Sequence, residues 1–305
     1  MTRVAAVDVG TNSVRLLVGE PDHDGGLRIL DRQMTITRLG AGVDARGRLD
    51  DTALERTLAC ISDYVERWAQ LDASRVRITA TSAVRDAADR DRFFDGVRRR
   101  AGVDAEVLSG EQEARTAFLG ATVGVDDPRP YLVLDIGGGS TELILGSTGP
   151  EAMTSRQLGC VRLTERCLHD DPPTSEQLTA AVEVIDAEIT AADEVMTPGS
   201  AATLIGVAGT VTTVGALWLD LPAYLPDRIH GTRVPAAGVH EITQRLAAMT
   251  SRQRAALGPM APGREDVIVA GALILDRVVE RYGFDSVVVS ESDILDGLAL
   301  QLLRS

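Results

Sequence analysis

Val4 to Gly19 reads VAAVDVGTNSVRLLVG, and Tyr131 to Gly146 reads YLVLDIGGGSTELILG. Laid side by side without a gap, Asp8 matches Asp135, Gly10 matches Gly137, Ser13 matches Ser140, Leu16 matches Leu143 and Gly19 matches Gly146. Each copy is a β-rich run, a tight turn of Gly, Ser and Thr, and a second β-rich run, which is the pattern of a hairpin. A repeat at this wide spacing implies a duplicated domain, because solenoid periods are far shorter.

Working outward, each hairpin is followed by a third extended stretch, residues 27–37 and 153–158, and then by helical patterns alternating with short strands. In the first half Leu54, Leu58, Ile61, Val65 and Trp68 keep helical spacing. Residues 76–80 read as a strand, and 90–100 and 111–123 as helices. The second half repeats the order with helices over 175–192, 267–282 and 293–303 and strands over 203–207 and 286–289. Three strands followed by α/β alternation predict an α/β fold of two lobes, each a mixed β-sheet with flanking helices. The DDPRP stretch at 126–130 is the expected hinge, dividing the chain into domains 1–125 and 126–305.

A chain of 305 residues suits two domains of ordinary size, and 44% hydrophobic with 25% charged residues is globular composition. Neither a membrane-spanning apolar run nor a basic-then-apolar leader is present, so the expectation is a cytoplasmic protein with no membrane contact. Cys60, Cys160 and Cys167 have neither paired metal spacing nor an even count, and read as idle thiols. The net charge of -14 repels nucleic acid and anionic membrane, so an anionic substrate has to be captured by a few local groups. All 31 basic residues under Lys+Arg are arginine, which excludes a Walker A lysine and Schiff-base chemistry.

An Asp followed by Gly and small hydroxyl residues at a hairpin turn can aim backbone N–H groups at phosphate. Two such loops facing each other would clamp a phosphate chain. Gly137, Gly138 and Gly139 are expected to allow close backbone approach, with Ser140 and Thr141 as donors, and Thr11, Asn12 and Ser13 to donate from the first loop. Gly209 and Thr210 read as a further phosphate-side turn opening a helix. Arg15 and Arg85 are the cationic candidates for phosphate, since guanidinium groups grip it bidentately. Asp8, Asp135 and Glu142 are the acidic positions of the twin loops, and hard oxygen ligands suit Mg²⁺. Asp8 can equally cap its own turn.

The twin loops resemble those of the superfamily of actin, Hsp70 and the sugar kinases. Within it, TSAVRDA at 81–87, SGEQEAR at 109–115, GVAGTVTT at 206–213, HG at 230–231 and PGREDVIVAG at 262–271 resemble the exopolyphosphatase / guanosine pentaphosphate phosphohydrolase (Ppx/GppA) family, in its order and across nearly the whole chain. The resemblance implies two ribonuclease-H-like (actin-like ATPase) domains with the active site in the interdomain cleft. It implies that Glu113 is the catalytic glutamate that activates water, assisted by Glu142, and that Asp135, Glu142 and Asp8 attend Mg²⁺ or Mn²⁺. The expected reaction is removal of the terminal phosphoryl group of inorganic polyphosphate as orthophosphate. The alternative substrate is pppGpp, the nucleotide of the stringent response; a superfamily kinase or ATPase and a weakly catalytic phosphate-chain sensor stand behind these. Relatives of this kind lead us to expect a homodimer. Two departures stand out: Asp89 where the family often has Asn, and Gln112 in place of one Glu. Longer relatives carry extra C-terminal helical domains that this chain lacks, which adds the expectation of a preference for short polyphosphates.

Overall fold

In a computed structural model, which describes residues 2–23 and 26–304, the chain forms two compact units. The first is Met1–Gly120 together with Asp293–Ser305, and the second is Ala121–Ser292.

The first unit holds β1 (Val4–Val9), β2 (Ser13–Pro21), β3 (Leu27–Ile36), β4 (Arg75–Ala80) and β5 (Ala105–Val107), in the sheet order β3-β2-β1-β4-β5. β1 runs antiparallel to β2 and parallel to β4. Every residue of β1 is buried, as a central strand covered on both faces requires. The helix Asp51–Gln70 starts on Asp50, whose side chain accepts from the Ala53 N–H, a cap worth about 1 kcal/mol. Its stripe of Leu54, Leu58, Ile61 and Trp68 enters the core with Val7, Leu16, Ile78 and Phe93.

In the second unit β6 (Tyr131–Ile136), β7 (Thr141–Gly146), β8 (Pro150–Arg156), β9 (Thr203–Val207), β10 (Arg233–Pro235) and β11 (Ser286–Val289) take the order β10-β11-β9-β6-β7-β8. Five of these strands repeat the order and directions of the first sheet, with β6 in the place of β1 and β11 in the place of β5, and β10 is an added antiparallel edge. Its core is separate, built from Leu132, Leu134, Ile185, Val214, Ile274 and Val289 among others.

One expected boundary differs. The division at 125/126 assigns the C-terminal helix, Ile294–Arg304, to the second lobe, whereas it belongs to the first unit, where it packs on β1, β2 and β4. Its buried Leu295, Leu298, Ala299 and Leu300 supply apolar cover that the first sheet otherwise lacks. Gly297 lies against the backbone of Thr116, so the helix seats closely there.

Candidate active site

Both hairpin loops are closed in the same way, by Gly10 N–H to the Ser13 carbonyl at 2.9 Å and by Gly137 N–H to the Ser140 carbonyl at 3.0 Å. The carbonyls of each loop are then tied from behind. In the first unit the Asn12 carbonyl accepts from the N–H groups of Thr37 (3.0 Å) and Arg38 (2.9 Å), and that of Thr11 from Gly40 (2.8 Å). In the second, the N–H of Cys160 reaches the Gly137 carbonyl (2.9 Å), those of Val161 and Arg162 reach Gly138, and Arg162 Nε donates to the Gly139 carbonyl at 2.8 Å. Gly159 makes this possible, because a Cβ there would lie 2.4 Å from the Gly138 carbonyl carbon. With these carbonyls engaged, the chemistry left to the loops is chiefly that of their N–H groups, as an anion cradle needs; the Thr141 hydroxyl, expected as a phosphate donor, instead donates to the Leu158 carbonyl.

The surrounding side chains divide between the units. In the first, Asp8 pairs across the hairpin with Arg15, whose Nη2 lies 2.7 Å from Asp8 Oδ2 and whose Nη1 is ion-paired with Asp293. Burial pushes the Asp8 carboxyl above its ordinary value; Arg15 opposes this and Asp293 adds to it. Asp8 Oδ1 and Asn12 Oδ1 are buried acceptors with no hydrogen-bond partner among the described residues. Thr11 Oγ1 shares a 2.9 Å hydrogen bond with Ser82. Glu113, in the first turn of the helix Gly110–Ala121, is 7% exposed, so it is not a solvated surface residue. Arg85 Nη1 donates to Glu113 Oε2 at 3.1 Å and to the Leu108 carbonyl at 3.2 Å.

In the second unit Asp135 and Glu142 stand opposite each other in the β6–β7 register, hence on one face of the sheet, and both are buried. Glu142 Oε1 accepts from Ser155 Oγ at 2.6 Å. Like charges placed opposite one another are unfavourable, and a bound divalent cation would offset that cost. Among the described residues no group of three or more His, Cys, Asp and Glu side chains gathers at one point. Asp135 and Glu142 are hard oxygen donors, and Mg²⁺ is a cation that takes one or two carboxylates and completes its shell with water and phosphate oxygens.

Gly209 and Thr210 open the helix Ala208–Trp218, whose N-cap residue Val207 makes no side-chain cap bond. Ala208 has φ 66°, a left-handed conformation costly to a residue with a side chain. Arg264, buried, packs against Gly209 so closely that a Cβ there would lie 2.2 Å from its Nη2, and its Nη1 donates to Thr213 Oγ1 at 2.8 Å.

Arg264 is a residue that sequence reasoning passed over, although it lies in the quoted PGREDVIVAG stretch. So is the cluster beyond the helix start, where Tyr224 OH is 2.6 Å from Glu291 Oε1 and 2.7 Å from Thr212 Oγ1, and the Glu291 N–H donates to His230 Nδ1. The two departures have structural uses. Gln112 completes a capping box with Ser109, taking the part a Glu takes. Asp89 accepts from the Leu49 N–H at 2.9 Å.

Two sheets of one topology, each with a glycine-and-hydroxyl hairpin loop and buried carboxylates beside it, are the arrangement of an actin-like fold. The sequence profile of the Ppx/GppA phosphatase family matches residues 20–305, and the chain belongs to that family. Exopolyphosphatase 2 of Mycobacterium tuberculosis is 44% identical over 99% of both chains. A guanosine-5'-triphosphate,3'-diphosphate pyrophosphatase of Photobacterium profundum is 30% identical over 98% of this chain and 59% of its own length. The crystal structure of an exopolyphosphatase-like protein superposes with a TM-score of 0.95 at 38% identity, covering 99% of each chain.

Proposed function

We propose that this protein is an exopolyphosphatase that removes the terminal phosphoryl group of inorganic polyphosphate, with Glu113 as the base that orients and deprotonates water. The carrying observation is Glu113 itself, a carboxylate withdrawn from bulk solvent and fixed by Arg85 rather than left mobile on a helix surface. Phosphoanhydride hydrolysis calls for a positioned acceptor for the water proton and little acid help for a leaving phosphate. Mg²⁺, or Mn²⁺, held by Asp135 and Glu142 would neutralise charge on the phosphoryl oxygens. In the second unit the loop of Gly137, Gly138, Gly139 and Ser140, shaped by Thr141, and the helix start at Gly209 and Thr210 are the phosphate-side groups; in the first unit they are Thr11, Asn12 and Ser13. Arg85 serves both Glu113 and substrate, whereas Arg15 is committed to Asp8 and Asp293 and orients Asp8.

Polyphosphate is preferred to pppGpp because the exopolyphosphatase relative is nearer in identity and matched over its whole length, while the guanosine pyrophosphatase relative is matched over 59%. That second relative keeps pppGpp as the second reading. Short chains are the favoured substrates. The net charge is -14, and Arg98 and Arg100 lie beside Asp104 and Glu55, whose carboxylates offset their charge toward a long polyanion. The same charge disfavours nucleic acid. Three free cysteines suit a reducing, cytoplasmic setting. A homodimer completes the reading, supported by the exposed Ile29 and Met34 on the edge strand β3.

Orthophosphate release from short and long polyphosphates, pppGpp and ATP, with and without Mg²⁺, tests the assignment. Mg²⁺-dependent release, fastest per chain from short polyphosphates, is expected. Release from pppGpp alone moves the protein to the second reading, and release from ATP alone ends both. Glu113→Gln should keep affinity and lose on the order of 10² to 10⁴ in turnover.

A further inference from the structure

A second buried arginine lies behind Arg264. Arg254, at the end of the short helix Ser251–Ala255, is 4% exposed and makes no approach to the loops described above. Its guanidinium is a hub. Nε donates to the Glu265 carbonyl at 2.7 Å, Nη1 donates to the carbonyls of Leu246 and Met249, and Nη2 meets Asp171 Oδ1 at 3.3 Å. Leu246 belongs to the last turn of the helix Ala236–Ala247, whose final carbonyls have no partner within the helix. Glu265 follows Arg264 directly.

The segment that carries Arg264 is therefore held from several sides. The Glu265 carbonyl is tied by Arg254, and the Gly263 N–H donates to Glu265 Oε2 at 2.6 Å. Ser251 Oγ donates to Asp266 Oδ1 at 2.8 Å, while the Ser251 N–H donates to both oxygens of Asp171 at 2.7 and 2.9 Å. At the far end of the same segment, the Arg264 guanidinium is pressed on Gly209 and bonded to Thr213.

We infer that Arg254 is a positioning residue: it fixes the Glu265 carbonyl and Asp171 so that Arg264 is presented at the start of the helix Ala208–Trp218 for substrate phosphate. This rests on the phosphate-side reading of Gly209 and Thr210. A guanidinium is required because its planar fork reaches three carbonyls and one carboxylate in fixed directions, whereas a lysine ammonium has three donors at one point. A residue serving only stability would lower the melting temperature and leave affinity per folded molecule untouched.

The experiment is a double-mutant cycle on KM for tripolyphosphate at saturating Mg²⁺, with Arg254→Lys, Arg264→Ala and the pair, read beside thermal melting. Arg264→Ala should raise KM by about tenfold, as loss of one charge-assisted phosphate contact does. Arg254→Lys should raise KM by roughly half that factor with kcat nearly held, and should raise it no further in the Arg264→Ala background. If Arg264→Ala leaves KM unchanged, the phosphate-side reading fails and takes this inference with it. If Arg264→Ala acts but Arg254→Lys leaves KM unchanged or multiplies with it, the inference alone is overturned. Should Arg254→Lys not accumulate as folded protein, Asp171→Asn removes the charge partner from the half-exposed side and the same cycle decides. A KM raised only when Arg264 is present supports the inference; an unchanged KM overturns it.

Discussion

The two hairpins share a scaffold and differ in charge. In β1–β2 the cross-strand pair is Asp8 with Arg15, and in β6–β7 the equivalent pair is Asp135 with Glu142. One mixes signs and is tied further to Asp293; the other sets two buried carboxylates side by side. The backbone cradle is the same in both, and the electrostatics differ. The first hairpin carries its own arginine beside the aspartate, and the second carries the carboxylate pair that the proposed function assigns to Mg²⁺.

The largest test is to impose the first arrangement on the second hairpin. Glu142→Arg should fold, since it copies a pair already present in the same topology, and lose on the order of 10² to 10⁴ in orthophosphate release. Near-normal release would break the comparison. The converse change, Arg15→Met, leaves Asp8 and Asp293 buried without their cation. It should cost about 3–5 kcal/mol of unfolding free energy, read by denaturant titration. A smaller effect follows from Asp8, whose carboxyl burial holds above its ordinary value. The folded state keeps a proton there that the unfolded chain has lost, so stability falls as pH rises from the ordinary carboxylate value through the raised one. Asp8→Asn removes this share, and its melting temperature should decline less steeply over the weakly acidic range. Least of all should depend on Cys160, beside the second loop: burial pushes its thiol up to about 11, so alkylating reagents should leave activity unchanged at neutral pH.

Much of this was legible in the sequence, because the repeat is local. A hairpin closed at 10–13 is matched by one at 137–140, and the strands β9 and β11 fall on the stretches their β-rich runs predict. The charge contrast was within reach too, since residues equidistant from a hairpin turn face one another, which puts Arg15 on Asp8 and Glu142 on Asp135. Arg15 reads from the sequence as a phosphate ligand, by its guanidinium and its place after the first loop, and the fold pairs it with Asp8 and Asp293. What the sequence could not carry was the long-range part. Nothing in Ile294–Arg304 distinguishes a helix for the second sheet from one for the first, because both sheets need the same apolar stripe. Glu291 stands 67 residues from Tyr224 and 61 from His230, and only the tertiary fold brings it to them.

The most direct test of the charge contrast is a Mg²⁺ titration of orthophosphate release from tripolyphosphate in the wild type, Glu142→Gln and Asp8→Asn. The account predicts that the Mg²⁺ concentration for half-maximal release rises by about tenfold or more in Glu142→Gln and by much less in Asp8→Asn. The opposite ranking, with Asp8→Asn shifting the requirement more than Glu142→Gln, would contradict it.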